Sequence, residues 1–461
     1  MTDGPLAAMF DLQRLQLADV PEEEEGGWDP AVRTESFMAE LPPHELTDEA
    51  VSTERRECEV VAPDLCGPVP GPVMPELRSD AVQGSGDEGR GGDWRRCSPR
   101  TNIVFIKVHK AGSTTITCIL QRFGFEHNLT FMLPRNHKSD LGWPNLLKVE
   151  DYIPSADGMF NLVVDHTVYN RPLMEGLMPD NTVYVTVLRH PLAQIKSVFN
   201  WYKVKSEYGI HQPDPLGAFL KDPDRYEVPY VISRHHRQPH SFTKNFMAFD
   251  LGFPLGLSGR RKSAKNFVRK IDREVDFVLI LEHLNESLVM LRRRLCWTTK
   301  DILYDLTPRN LKSYPEKFAS SLKSLEQRHR NWSNVDYELY ENFNRSLWER
   351  IAKQGPDFAE EVRSFRHVVS TVAAYCDAAI SGHGADGHEL LVERSRWSEA
   401  FTVDHAFCTK LRMQWQDWYH VLKKAHRLPP GVSNETRDTI GYPGLLTITK
   451  QQVEQIFGIK P

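Results

Sequence analysis

Long apolar runs are missing from this sequence. No stretch approaches the eighteen or more consecutive apolar residues that a membrane-spanning helix requires. The first thirty residues also lack the basic start and apolar core of a leader peptide. These absences predict a chain with neither a membrane anchor nor a leader.

Cysteine is scarce as well, and the 7 cysteines do not decide the redox compartment. Cys296, Cys376 and Cys408 could supply a disulfide whose pairing the sequence leaves open, while Cys118 is expected to be a buried small hydrophobe. Five Asn-x-Ser/Thr sequons, where chance would give about two, favour the secretory pathway over unused sequons in a cytosolic protein. They begin at Asn128, Asn285, Asn331, Asn344 and Asn434.

Positive charge is scarce at the start of the chain. Residues 1–60 hold 16 acidic and 4 basic side chains, and the next forty residues are crowded with Pro, Gly and short polar residues. Such a segment cannot offset its ordering entropy by burial, so we predict a disordered arm over residues 1–98, which includes Cys58, Cys66 and Cys97. Residues 1–60 contribute −12 to the net charge of −5, which leaves +7 for the remainder. This surplus is too small and scattered to indicate a nucleic-acid partner.

Short apolar segments alternate with helical patterns after the arm. Strands are predicted over residues 102–108, 160–166, 182–190 and 276–283. The alternation predicts an α/β domain over residues 99–380, with a central, mainly parallel sheet flanked by helices. The helix after the first strand is expected to end near Gly124. Residues 381–461 are predicted to form a linker and a small, mainly helical C-terminal extension, with its clearest helix over residues 407–426.

A loop of small residues joins the first strand to its helix. The segment HKAGSTT, residues 109–115, would present backbone N–H groups and a positive dipole end to an anion. Lys110 comes before Gly112 and Ser113, whereas a nucleotide-kinase loop has the order GxxxxGK[ST], and this argues against ATP or GTP. By itself the loop could equally be an ordinary strand-to-helix turn capped by Ser or Thr.

Five segments resemble, in the same order, the galactose-3-O-sulfotransferases, the family of galactosylceramide sulfotransferase. They are FIKVHKAGSTTI, VDHTVYN, VTVLRHPLAQIKSVF, LEHLNESLVMLRRRLCWTTKDILY and WSNVDYELYENFNRSLWERI. The resemblance implies a P-loop-like sulfotransferase fold and a membrane-associated enzyme of the Golgi lumen. It also implies 3′-phosphoadenosine 5′-phosphosulfate (PAPS) as donor, no metal, and an acceptor with terminal β-galactose on a glycolipid or a glycoprotein glycan.

The resemblance also implies the donor-binding residues. The 5′-phosphosulfate loop would consist of Lys110, Ala111, Gly112, Ser113, Thr114 and Thr115. Arg189 and Ser197 match the pair that binds the 3′-phosphate. The chain departs from the family in two ways. Ala111 and Gly112 replace the usual Thr and Ala in the loop, and residues 1–100 lack the signal-anchor helix that family members carry.

Sulfuryl transfer needs a cation at the leaving oxygen and a base at the attacking hydroxyl. Lys110 is suited to the first role. His166, at the end of a predicted strand, and His109, beside the lysine, are candidates for the second. His166 is favoured, because strand alternation would point the side chain of His109 away from that of Lys110. Either histidine could instead be a hydrogen-bonded structural residue.

Two classes of function remain. The favoured one is an enzyme that sulfates the 3-hydroxyl of galactose, and the alternative is a catalytically inactive nucleotide- or glycan-binding protein with the same fold. The presence of both Lys110 and His166 favours the enzyme, because a site released from chemistry has no need of either. Arg189 could also serve only in a salt bridge at a strand end.

Overall fold

The computed structural model describes residues 97–135, 139–231, 240–307, 321–381 and 388–432. The predicted arm lies outside these ranges except for its last two residues, and the sequon at Asn434 lies outside them too.

Four parallel strands form the central sheet, in the order β2-β1-β3-β4. They are β1 (Ile103–Ile106), β2 (Leu162–Val163), β3 (Val183–Leu188) and β4 (Phe277–Ile280). Every residue of β1 and β4 is buried, as expected for strands covered on both faces. The α/β prediction with a mainly parallel sheet is therefore confirmed. The strands are shorter than predicted. β1 and β3 end directly before the polar residues Lys107 and Arg189, whereas β2 and β4 end before the apolar Val164 and Leu281.

Helices flank this sheet. They are α1 (Ser113–Glu126), α2 (Arg171–Glu175), α3 (Pro191–Trp201), α4 (Val204–Glu207), α5 (Pro215–Lys221), α6 (Pro223–Val231), α7 (Phe246–Asp250), α8 (Arg261–Glu274), α9 (Leu284–Leu295), α10 (Leu322–Trp332), α11 (Asn334–Ala352), α12 (Phe358–Ser381), α13 (His405–Arg412) and α14 (Trp415–Ala425). Single turns of 3-10 helix lie at Val149–Asp151, Leu255–Leu257 and Leu281–His283.

Helix α1 continues past the glycine at which it was predicted to end. Gly124 lies inside the helix, where a Cβ would collide with the side chains of Phe131 and Leu162. The glycine therefore permits close packing of α1 against the neighbouring segments rather than ending the helix, which ends two residues later, at Glu126.

Two disulfides cross-link the described part of the chain. Cys97 is bonded to Cys296 at the end of α9, and Cys376 in α12 is bonded to Cys408 in α13. The first bond corrects the assignment of Cys97 to a disordered arm, because this residue is covalently joined to the sheet domain. Cys118 takes part in neither disulfide and is buried, as predicted.

The C-terminal segment contains an element that the sequence did not reveal. Strands β5 (Leu390–Val392) and β6 (Phe401–Val403) form an antiparallel pair. The single helix predicted over residues 407–426 is wrong, because a break at Met413 and Gln414 separates α13 from α14. Within the described ranges, none of the helices combines the length and apolarity needed to cross a bilayer.

Candidate active site

The loop between β1 and α1 contains two left-handed residues. Lys110 has φ 58° and Gly112 has φ 75°, and α1 begins directly after Gly112 without a side-chain cap. The first N–H groups of a helix have no partner inside it, and they carry the positive end of its dipole. A Cβ at Gly112 would collide with the side chain of Leu281, so this tight turn requires glycine. The loop has the backbone features of an anion site.

Two cations meet at this loop. Nη1 of Arg189, directly after β3, donates a hydrogen bond to the carbonyl oxygen of Lys110 at 3.3 Å. Burial, and then the guanidinium of Arg189, lowers the pKa of Lys110 to about 8. Among the described residues, no carboxylate lies within salt-bridge distance of either side chain, and Nε of Arg189 is buried without a hydrogen-bond partner. Nζ of Lys110 lies over the ring of Trp201, 3.9 Å from its centroid, and the charge of Glu282 acts on the guanidinium of Arg189. Neither contact is a salt bridge, so both cations can still receive an external anion.

His109 is held by a buried carboxylate. Its Nδ1 lies 2.9 Å from both carboxylate oxygens of Asp250, and its backbone N–H donates to Oδ2 of Asp250 at 2.7 Å. The indole Nε1 of Trp143 donates to Oδ1 of the same carboxylate at 2.9 Å. With Nδ1 bound to Asp250, the other ring nitrogen of His109 is left as the proton acceptor, as in the histidine of a catalytic triad.

His166 lies against His109. The two rings are stacked, with centroids 3.7 Å apart and planes 13° from parallel. Nδ1 of His166 donates to the carbonyl oxygen of Lys107 at 2.9 Å. Burial, and then the nearby His109 and Lys107, hold the pKa of His166 well below its usual value. His166 is therefore a neutral imidazole with little tendency to take up a proton.

A buried charged pair lies beside the histidines. Lys107 and Asp165 are each 2% exposed. Burial lowers the pKa of Lys107, which the charge of Asp165 opposes, and burial raises the pKa of Asp165 to about 6, which Lys107 opposes. The backbone carbonyl of Lys107 accepts the hydrogen bond of His166, so the backbone just after β1 helps to set the orientation of that ring.

Comparison with known proteins identifies the family. The family model of the galactose-3-O-sulfotransferases matches residues 65–386. The chain belongs to this family. It is 33% identical over 320 residues to the galactosylceramide sulfotransferase of Homo sapiens, an alignment that covers 68% of this chain and 71% of that protein. It is 34% identical over 293 residues to galactose-3-O-sulfotransferase 2 of Homo sapiens, covering 62% and 71%. With galactose-3-O-sulfotransferase 3 of Mus musculus it shares 31% over 290 residues, covering 61% and 65%.

In this galactose-3-O-sulfotransferase family member, most of the sequence-predicted residues lie together. The loop from Lys110 to Thr115, His109, His166 and Arg189 all lie at or just beyond the carboxyl ends of adjacent strands. Ser197 is half-buried in α3 and makes no hydrogen bond to Arg189 within the described ranges. Glu282 accepts the backbone N–H of His190 at 2.9 Å, which is a capping role.

The strand alternation used to favour His166 does not extend to His109 and Lys110. Strand β1 ends at Ile106, and the left-handed backbone of Lys110 interrupts any alternation of side chains. Alternation therefore gives no ground for turning His109 away from the lysine.

Sequence reasoning missed Asp250 and Trp143. Asp250 follows the apolar residues FMAF. Its side chain contacts His109 and is 0% exposed. A carboxylate inside an apolar segment was the available signal, because buried charges in proteins are almost always paired. Trp143 lies in a loop with no pattern that would have linked it to this site.

Proposed function

We propose that this chain transfers a sulfuryl group from PAPS to the 3-hydroxyl of a terminal β-galactose on a glycolipid or glycan. The observation that carries the proposal is the adjacency of Lys110 and an Asp250-bound His109 at the end of one strand. A charge-stabilising cation and a general base are the two groups that this transfer requires. The family names of the relatives support the acceptor class.

The anion-binding features of the loop fit the donor. PAPS carries a 5′-phosphosulfate and a 3′-phosphate, and it would supply the sulfuryl group. Lys110 and the N–H groups at the start of α1 would bind the first, and Arg189 the second, in a P-loop-like arrangement. The buried Nε of Arg189 without a partner and the missing Cβ of Gly112 both support this fit.

We propose His109 as the base. It would accept the proton of the attacking galactose hydroxyl, and the carboxylate of Asp250 would stabilise the imidazolium that forms. Lys110, the next residue, would neutralise the charge that develops on the leaving oxygen. His166, whose low pKa makes it the weaker base, would support the ring of His109 by stacking.

A Golgi-lumen location is supported by covalent structure. The described part of the chain holds two disulfides, which persist in oxidising compartments. The sequon asparagines Asn128 and Asn331 are exposed, so both could carry glycans without disturbing the core.

A transfer assay tests the proposed activity directly. Protein secreted from cells would be incubated with donor labelled in its sulfuryl group and with a panel of galactosylceramide, lactosylceramide and β-galactosyl glycans. Label on at least one acceptor, absent when its 3-hydroxyl is removed, is the expected result. Binding of the desulfated donor without transfer to any β-galactoside would instead indicate the inactive binding protein.

Arg189 should contribute to binding rather than to turnover. The 3′-phosphate does not react, so its contact is shared by ground and transition states. We expect Arg189→Ala to weaken binding of the desulfated nucleotide at least about tenfold, with a much smaller change in kcat. Titration calorimetry measures the affinity, and the exposed Arg260→Ala serves as a matched control. An unchanged affinity would remove Arg189 from the site.

The pKa of Lys110 predicts an alkaline limit to activity. Because this pKa is lowered to about 8, the free enzyme loses the cation as pH rises through that value. We expect kcat/KM for the donor to fall above about pH 8, measured from pH 6 to 10. The guanidinium of Lys110→Arg stays charged over this pH range, so kcat/KM of this variant should not fall above pH 8, whatever its overall rate. A wild-type profile that stays flat to pH 9.5 would contradict the assignment.

A further inference from the structure

The carboxylate that holds His109 belongs to a very short helix. Asp250 is the last residue of α7, which has five residues, too few to be stable by itself. The position of Asp250 therefore depends on the contacts that hold α7.

The start of α7 is held by the start of α11. The carboxylate of Asp336 accepts the backbone N–H groups of Ala248 at 2.8 Å and Met247 at 3.4 Å. The side chain of Asp336 thereby acts as the N-terminal cap of α7, although Asp336 lies 86 or more positions from α7 in the sequence. Asn245, the residue before α7, has a left-handed backbone and provides no side-chain cap of its own.

The contact is reciprocal. The amide oxygen of Asn245 accepts the N–H of Val335 at 3.0 Å, and the hydroxyl of Ser333 accepts the N–H of Asn245 at 2.7 Å. Each helix start thus uses polar groups of the other segment. Ser333, Asn245 and the backbone groups do not ionise, so Asp336 is the one ionisable group among these contacts.

Asp336 is costly to keep in this position. It is 1% exposed, and no Lys, Arg or His of the described ranges lies within salt-bridge distance. Burial, with a further contribution from the charge of Asp250, raises the pKa of Asp336 to about 7, against the N–H groups that it accepts. The titratable groups facing it are Asp250 and Tyr337. A carboxylate held at such a cost indicates a purpose beyond packing.

We infer that Asp336 is a positioning residue of the transfer reaction, which holds α7 so that the Asp250 carboxylate stays against His109. The inference rests on the proposed function. Asp336 acts through Asp250, because its carboxylate binds the backbone of α7. Ser333 and Asn245 complete the same junction.

A double-mutant cycle between Asp336→Asn and Asp250→Asn tests the inference. We expect Asp336→Asn to lower kcat about tenfold while KM for the donor changes less than about twofold. The double variant should be no slower than Asp250→Asn alone, because both changes remove the same support from His109. Glu338→Gln, which removes a half-buried carboxylate two residues away on the same helix, should leave kcat unchanged.

The pH profile provides a readout that packing alone would not move. Without a well-placed carboxylate, the imidazolium of His109 forms less readily, so the acid limb of kcat/KM should move to lower pH in Asp336→Asn, as in Asp250→Asn. If Asp336→Asn does not fold, Ser333→Ala takes its place in the double-mutant cycle. Because Ser333→Ala also removes the sequon that begins at Asn331, Asn331→Gln serves as its control.

The outcomes separate two failures. Wild-type turnover in Asp250→Asn would contradict the proposed role of the His109–Asp250 pair, and the inference would fall with it. The inference would be overturned, with the proposed function left standing, by three results together. Asp250→Asn would be slow, the losses in the double variant would be additive, and the acid limb of kcat/KM would not move in Asp336→Asn.

Discussion

Replacing His109 by Gln should lower kcat about a thousandfold, within the range of general-base contributions. Glutamine fills a similar volume and can still bond to Asp250, but it cannot accept a proton at neutral pH. The ground-state contacts of the donor do not involve this ring in our proposal, so the affinity for desulfated nucleotide should stay within about threefold. Single-turnover transfer and titration calorimetry measure the two quantities.

The matched variant is His166→Gln. It removes the stacked ring and the hydrogen bond to Lys107, but leaves the His109–Asp250 pair intact. We expect a loss of about tenfold or less, from weaker support of His109. The reverse ranking, with His166→Gln the slower enzyme, would return the role of base to His166.

Removing the ammonium of Lys110 should be nearly as severe. Lys110→Ala deletes a preorganised charge next to the leaving oxygen, so turnover should fall at least about a hundredfold while the product nucleotide still binds. In our proposal, Arg189 and the backbone of the loop provide the remaining affinity. A control is Lys300→Ala, which removes another partly buried lysine, one that lies over the ring of Phe407. If Lys110→Ala keeps near wild-type turnover, Lys110 takes no part in the chemical step.

The sheet and half of the site were accessible from the sequence because the signals are local. Continuous apolar runs predicted four buried parallel strands, and polar residues at their ends predicted Lys110, Arg189 and the two histidines at one edge. The loop was recognisable from its small residues, since only glycine suits the left-handed turn at Gly112.

The rest could not be predicted because it depends on long-range pairing. Asp250 joins His109 across 141 positions, and Asp336 joins Ala248 across 88. No pattern within either segment encodes the partner. The choice between the histidines rested on local alternation, whereas the contact between His109 and Asp250 comes from a distant helix.

The bond between Cys97 and Cys296 has a topological consequence. It closes a covalent ring across a sequence separation of 199, and this ring contains all four strands of the central sheet together with Lys110, His109 and Asp250. A ring of this size reduces the conformational entropy of the unfolded chain, and this stabilises the folded state by about 5 kcal/mol. A single peptide-bond cleavage inside the ring leaves two fragments joined by this disulfide, so a molecule cut between Lys110 and Asp250 still holds both residues in one covalently connected molecule.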